Sequence, residues 1–277
     1  MKKILSILVA LTVLLTLGAC GTSEEKSSGD NGKTTKLVVG ASPVPHAEIL
    51  EKAKPLLKEK GIDLEIKTFT DYVLPNKALD SKELDANYFQ HIPYLNAQIK
   101  EFGYDFVSAG GIHIEPIGVY SKKYKSLKDL PNGAHLIMSN SVADHGRLLS
   151  LLEAQGLIKL KDGIDKTKAE IKDVVENPKN LEFDADYEAK LLPQIFNNNE
   201  GDAVLINSNY AIDAGLNPVE DSIAIEDQDS PYVNVIAVRK GDENKEAIKA
   251  LVEVLHSKEI QDFIKEKYKG AVVPVSE

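Results

Sequence analysis

The sequence contains a single cysteine, no tryptophan and fewer basic than acidic side chains. With one cysteine, an intrachain disulfide and a cysteine-based zinc cluster are both excluded. The formal net charge of −10 argues against nonspecific binding to nucleic acid, which depends on clustered Lys and Arg facing phosphates. A length of 277 residues with 43% hydrophobic side chains is sufficient for about two domains held together by apolar cores.

Recognisable catalytic and metal-binding motifs are also missing. The six histidines fall outside any HExxH pattern, and the sequence has neither a GxSxG nor a GxxxxGK[ST] motif. The 43 acidic residues are spread along the chain, so chance carboxylate pairs are expected. We therefore predict a protein that is not an enzyme and that has no metal site and no cofactor. A lipoprotein hydrolase, which would need a nucleophile and a base in one cleft, is the enzymatic alternative.

The N-terminus predicts export and lipid anchoring. Two lysines precede an apolar run from Ile4 to Leu17, which is too short for an ordinary spanning helix and typical of a signal peptide. The small residues before Cys20 resemble the lipidation motif of bacterial lipoproteins, so we predict a signal peptide at 1–19 and acylation (palmitate) on Cys20. Residues 20–35 are polar and predict a flexible tether. The expected location is the outer face of the cytoplasmic membrane; an ordinary signal peptide beside a buried cysteine is the alternative.

The remaining chain alternates between strand and helix patterns, which predicts an α/β protein with parallel sheets covered by helices. The predicted elements, in chain order, are strand 36–40, helix 45–60, strand 64–69, helix 75–84, strand 85–89, helix 93–102, extended segment 113–120, strand 134–138, helix 144–155, strand 181–183, helix 187–197, strand 203–206, extended segment 230–238 and helix 244–268. The two extended segments separate two such units. We predict one lobe from 36–115 plus 235–277 and a second lobe from 116–234, joined by two extended crossovers.

Polar and aromatic side chains cluster where the predicted strands end. Ligands of open α/β sheets bind at the carboxyl ends of strands, so these segments are the candidate site, in a cleft between the lobes. The segments are 40–46, 70–76, 87–94, 139–147, 206–210 and 232–234.

Several of these segments resemble the methionine-binding lipoproteins of bacterial ABC importers, the NlpA/MetQ family. The matching pieces are VGASPVPHAEIL, FTDYVLPNKAL, ELDANYFQHIPYL, AVLINSNYAIDAGLNP and SPYVNVIAVR, and they extend over nearly the whole mature body. The resemblance implies a type II periplasmic-binding-protein fold that presents L-methionine to a membrane permease with its ATPase. D-methionine, a methionine-containing dipeptide or another amino acid is the alternative ligand.

The resemblance also implies roles for individual residues. An aromatic pocket for the ligand side chain is implied at Tyr72, Phe89, His91 and Tyr94. Arg147 is implied to hold the ligand carboxylate, and the amides implied at the ligand's polar end are those of Asn207 or Asn209, and Asn234.

Asp144 departs from the family pattern, in which an asparagine usually stands three residues before the arginine. A carboxylate at this spacing is able to pair with Arg147 on the helix surface, or to face the ligand ammonium. Both possibilities stay open on the sequence, and either one bears on which ligand the protein prefers.

The same residue types suit a free amino acid without the family name. Arg147 falls in the first turn of the predicted helix 144–155, where its guanidinium and the helix N-terminus both favour a carboxylate. Asparagine amides offer acceptors to an ammonium, and aromatic rings make favourable contacts with a thioether sulfur. Each candidate also has an ordinary structural interpretation: an exposed Arg147–Asp144 pair, aromatic packing residues, a structural His91, and asparagines in turns.

Overall fold

The computed structural model describes residues 34–275. The predicted signal peptide, Cys20 and the tether up to residue 33 lie outside these residues. Within the described part of the chain, no helix is both long enough and apolar enough to cross a membrane.

Strands and helices alternate through most of the described chain. The strands are β1 Thr35–Ala41, β2 Ile62–Thr68, β3 Ala86–His91, β4 Phe106–Ile114, β5 Gly118–Tyr120, β6 His135–Ser139, β7 Lys159–Leu160, β8 Val174–Glu176, β9 Glu182–Tyr187, β10 Ala203–Ile206, β11 Ala224–Ile225, β12 Val233–Arg239 and β13 Val273–Pro274. The α-helices are α1 Glu48–Glu59, α2 Leu74–Asp80, α3 Ile92–Phe102, α4 Val142–Ala154, α5 Leu192–Asn197, α6 Ser208–Asp213, α7 Pro218–Asp221, α8 Glu246–Leu255 and α9 Lys258–Tyr268.

The first sheet has the strand order β13-β4-β12-β3-β1-β2. Strand β1 runs parallel to both β2 and β3, as the β-α-β pattern predicts. The turn after α1 uses Gly61 at φ +75°, the left-handed conformation expected of a glycine that ends a helix. Strands β12, β4 and β13 run antiparallel, so the sheet is mixed and not wholly parallel.

The second sheet has the order β11-β5-β10-β6-β9, in which β10, β6 and β9 are parallel and β5 is antiparallel to both of its neighbours, β10 and β11. Its strands come from residues 118–225, and those of the first sheet come from 35–114 and 233–274. The chain therefore passes between the sheets twice, close to residue 116 and residue 230. The predicted lobe boundaries, 36–115 plus 235–277 and 116–234, stay predictions.

The interior of the first sheet contains a strand that the sequence analysis missed. Strand β4 begins at Phe106, seven residues before the predicted extended segment, and pairs with β12 through two irregularities in register. Its centre is Gly110-Gly111, which lacks the side chains of an alternating strand pattern. An added Cβ at Gly110 would lie 2.7 Å from Cγ1 of Val252 in α8, so the glycine allows the helix to pack closely on the sheet.

The C-terminal region was predicted as one helix over 244–268 and instead forms two, α8 and α9. They are separated by His256 and by Ser257, whose backbone is extended at φ −61° and ψ 150°. Ser257 occupies the N-cap position of α9, where serine is favoured. The break lets both helices bury apolar side chains, including Leu251, Leu255 and Ile260, in the core of the first sheet.

Candidate functional site

A cavity lies among residues of both predicted lobes, 36–115 plus 235–277 and 116–234. All nine side chains predicted to contact a ligand line it. They are Tyr72, Phe89, His91, Tyr94, Asp144, Arg147, Asn207, Asn209 and Asn234. Three further residues, Gln90, Glu115 and Ser208, complete the lining. The strand ends therefore meet as the topology predicts, although the ligand contacts themselves remain predictions.

One wall of the cavity is aromatic. The ring centroids of Tyr72, Phe89 and Tyr94 lie 5.9–6.1 Å from one another, a mutual arrangement of tilted and edge-to-face rings. Phe89 is buried, whereas the two tyrosines are half-buried. The Tyr94 hydroxyl donates to the backbone carbonyl of Tyr72 at 2.9 Å, and the Tyr72 hydroxyl donates to Asn209 Oδ1 at 2.6 Å. These bonds fix the rings and leave an apolar face.

Arg147 is buried at 4% exposure and is held mainly from one side. Its Nε and Nη2 donate to Glu226, and Nη2 also donates to the backbone carbonyl of Glu115 at 2.8 Å. Its Cζ lies 4.5 Å from the centroid of the Tyr232 ring. Burial opposes the charge, but Glu226 and Asp144 outweigh it and raise the pKa of Arg147. Among the described residues, Nη1 has only an ion pair with Asp144 at 3.5 Å, so this nitrogen is available to an anion.

The prediction that Arg147 lies in the first turn of its helix is wrong. Helix α4 begins at Val142, two residues before the predicted start, because Ser141 is the N-cap. Arg147 therefore falls in the second turn, and Asp144 takes the first-turn position where a negative charge is favoured.

Asp144 pairs with Arg147 in the interior and not on the helix surface. It accepts from His91 Nε2 at 3.0 Å and from Asn207 Nδ2 at 3.1 Å. Burial alone would raise the pKa of Asp144, but the hydrogen bonds from His91 and Asn207 and the charge of Arg147 lower it to about 2. Asp144 therefore stays ionised and links the first sheet to the second.

His91 combines a structural role with a position in the cavity. Its Nδ1 accepts the backbone N–H of Tyr94 at 3.1 Å and so caps helix α3. Since Nδ1 is an acceptor there, Nε2 carries the proton that it donates to Asp144. The two interpretations left open by the sequence are thus compatible.

The three asparagine side chains differ in how many of their hydrogen-bonding groups have partners within the protein. Asn209 Oδ1 accepts from Tyr72, and Asn234 Oδ1 contacts His46 Nε2 at 3.1 Å. Asn207 donates to Asp144, but its Oδ1 has no hydrogen-bond partner among the described residues. Because a buried amide oxygen without a partner is unfavourable, this atom is suited to accept from a ligand donor.

Glu115 is the main residue that the sequence analysis missed. It is 7% exposed, lines the cavity and lies in the first crossover between β4 and β5. Burial raises its pKa, although the charge of Arg147 acts in the opposite direction. The available signal was a lone carboxylate inside an otherwise apolar extended segment, next to Pro116.

The fold and the cavity define a class of protein: a two-sheet α/β binding protein whose site is lined by buried charges and by aromatic rings. The family model described as NlpA lipoprotein matches residues 37–276. The chain therefore belongs to the NlpA lipoprotein family.

Relatives of known sequence or structure agree with this membership. The chain is 52% identical to the methionine-binding lipoprotein MetQ of Bacillus subtilis, over 100% of both chains. It is 40% identical to the D-methionine-binding lipoprotein MetQ of Escherichia coli K12, over 95% of this chain and 94% of the relative. A structure of a Burkholderia cenocepacia nutrient-binding protein bound to methionine is 45% identical, with a TM-score of 0.82, and covers 87% of this chain and 100% of its own.

Proposed function

We propose that this protein is the substrate-binding lipoprotein of an ABC importer, which captures L-methionine and delivers it to a membrane permease with its ATPase. One observation carries the proposal: Arg147 and the aromatic wall formed by Tyr72, Phe89 and Tyr94 line one cavity. The names of the relatives, which include a methionine-binding lipoprotein and a protein solved with methionine, support the same ligand.

The ligand's polar end would lie between opposite charges. A free amino acid is a zwitterion, so its site needs an anion receptor and a cation receptor close together. Nη1 of Arg147 would bind the carboxylate, since charge-assisted hydrogen bonds are the stronger kind. Glu115, Asn207 Oδ1 and Asn234 would receive the ammonium group.

The ligand's side chain would pack against the aromatic wall. Burying a methionine side chain contributes about 1.5–3 kcal/mol, and sulfur-aromatic contacts add about 0.3–1.5 kcal/mol. The bonds from the Tyr94 hydroxyl to the Tyr72 carbonyl and from the Tyr72 hydroxyl to Asn209 order the two rings before the ligand arrives, which reduces the entropic cost of binding.

Capture would join the two predicted lobes. Two hydrogen bonds already connect the predicted lobes across the cavity, one between His91 and Asp144 and the other between Tyr72 and Asn209. A ligand that contacts both halves stabilises the form in which they meet, because only that form supplies the whole site. Acylation of Cys20 would hold the protein on the outer face of the cytoplasmic membrane, next to the permease.

Isothermal titration calorimetry tests the proposal. The full chain is purified in detergent, unfolded to remove co-purified ligand and refolded, and then titrated with L-methionine, D-methionine, a methionine dipeptide and leucine. We expect L-methionine to bind in the micromolar range or tighter, about −8 kcal/mol, and leucine to bind at least about tenfold more weakly. Absence of methionine binding would contradict the proposal. Tighter binding of D-methionine or of the dipeptide would identify that compound, and not L-methionine, as the preferred ligand.

A second measurement addresses the hydrolase alternative. A binding protein returns its ligand unchanged, so mass spectrometry after prolonged incubation should recover the methionine dipeptide intact. Its cleavage would favour the hydrolase.

A further inference from the structure

We propose that His46 and His113 are positioning residues, which hold the Glu115 carboxylate and the Asn234 amide in place to receive the ligand's ammonium group. This inference rests on the proposed function and adds a basis for selecting α-amino acids over acids that lack the amine.

The geometry behind the cavity is a buried cluster of polar side chains. His113 Nε2 lies 2.7 Å from Glu115 Oε1, and His46 Nε2 lies 3.2 Å from the same oxygen. His46 Nε2 also lies 3.1 Å from Asn234 Oδ1. Both histidines are almost completely buried, at 1% and 0% exposure, and neither lines the cavity. They therefore contact the ligand site only through Glu115 and Asn234.

The partners determine where the histidine protons lie. Asn234 Oδ1 is only an acceptor, so His46 Nε2 carries a proton. An ionised Glu115 likewise accepts from His113 Nε2, which leaves the lone pair of His113 on Nδ1. The Tyr88 hydroxyl contacts this Nδ1 and donates to it. Tyr88 thereby fixes the His113 tautomer that offers an N–H to Glu115.

Neutral donors suit this task better than cations. Burial lowers the pKa of His46 to about 4 and that of His113 to about 3, so both rings are neutral near pH 7. His113 therefore donates to Glu115, and His46 donates to Asn234 beside it, without cancelling the charge of the carboxylate. The carboxylate keeps its attraction for an ammonium, and its orientation is fixed before the ligand arrives.

The test compares two ligands that differ at one group. L-methionine carries the ammonium, and 4-(methylthio)butanoate has the same thioether and carboxylate without it. Calorimetry with the full chain measures both affinities in four proteins: the wild type, His46→Leu, His46→Gln and Tyr88→Phe. Tyr120→Phe is the matched control, because Tyr120 is fully buried outside the cavity and its hydroxyl has no partner in the described chain.

We expect His46→Leu to weaken the binding of L-methionine by at least about tenfold and that of the amine-free acid by less than about threefold, because the buried Asn234 oxygen would lose its donor. His46→Gln, which retains an N–H donor, should restore methionine affinity to within about threefold of the wild type. Tyr88→Phe should weaken the binding of L-methionine by about threefold to tenfold and leave the binding of the amine-free acid less affected. Tyr120→Phe should change neither affinity.

Other results would overturn the inference. If His46→Leu weakens the binding of both ligands equally, and His46→Gln does not restore it, the role of His46 is merely structural. If His46→Leu does not fold, the Tyr88→Phe selectivity decides the question alone. Loss of methionine binding in EDTA would also contradict it, because a cation would then occupy the cluster of His46, His113 and Glu115. If the wild type binds neither ligand, the proposed function fails instead.

Discussion

Replacement of Arg147 is the most informative perturbation, because this side chain serves both the fold and the proposed ligand. In the protein it neutralises Glu226 and faces Asp144, and its Nη1 remains for a carboxylate. Losing one charged hydrogen bond to the ligand costs about 1.5–3 kcal/mol, so Arg147→Ala should weaken methionine binding by roughly tenfold to a hundredfold.

The same substitution should also destabilise the protein. Removing one partner of a buried ion pair costs about 3–5 kcal/mol, because the other charge stays buried. The double variant Arg147→Met with Glu226→Gln removes both charges and retains most of the volume. We expect its free energy of unfolding to lie within about 1–2 kcal/mol of the wild type, while methionine affinity remains at the level of the single variant.

Calorimetry and urea unfolding of these variants separate the two effects. Arg239→Ala is a matched control, since Arg239 is the only other arginine of the chain and contacts the carbonyls of Leu79 and Leu84. It should leave methionine affinity unchanged. Methionine affinity within about threefold of the wild type in Arg147→Ala would refute the role assigned to Arg147.

Three further predictions concern stability. Gly146→Ala should destabilise the protein by about 1–3 kcal/mol in thermal unfolding, because the new Cβ would lie 2.1 Å from the backbone oxygen of Lys166; no change in melting temperature would contradict the packing. Asp144 has a pKa near 2 in the folded protein against 3.8 unfolded, so it contributes about 2 kcal/mol above pH 4 that is lost as the pH falls towards 2; urea unfolding at pH 6 and pH 3 should show a smaller pH effect in Asp144→Asn. His46 and His113 titrate near 4 and 3 when folded and near 6.5 when unfolded, so the unfolded chain binds more protons below pH 6.5. The free energy of unfolding should therefore fall as the pH drops from 6.5 to 4, by up to about 1.4 kcal/mol per pH unit for each histidine. In His46→Gln the contribution of one histidine to this pH dependence should be absent.

The sequence was sufficient to predict the parts of the fold that depend on local patterns. Strand β1, helix α1 and strand β10 follow apolar periodicity or apolar runs, and the α/β alternation predicted where their carboxyl ends would meet. The family resemblance implied eight of the nine predicted residues that line the cavity, and the ninth, Asp144, was noted as a departure from the family pattern. The predictions of β1, α1 and β10 depend on signals that repeat within a few residues.

Features set by long-range packing could not be predicted in this way. Strand β4 carries Gly110 and Gly111 because helix α8 and strand β12 approach closely, and neither neighbour is adjacent in sequence. Glu115 lies beside His46 and His113, the first of which is 69 residues away in the sequence. The start of α4 was placed two residues late because Ser141 was not recognised as its N-cap, and this error moved Arg147 into the first turn.

A structure of the protein with L-methionine tests the central claim most directly. The account predicts the ligand carboxylate within hydrogen-bond distance of Arg147 Nη1, the ammonium beside Glu115, and the thioether among the rings of Tyr72, Phe89 and Tyr94. Methionine bound outside this cavity, or inside it with its carboxylate against the aromatic rings, would contradict the account.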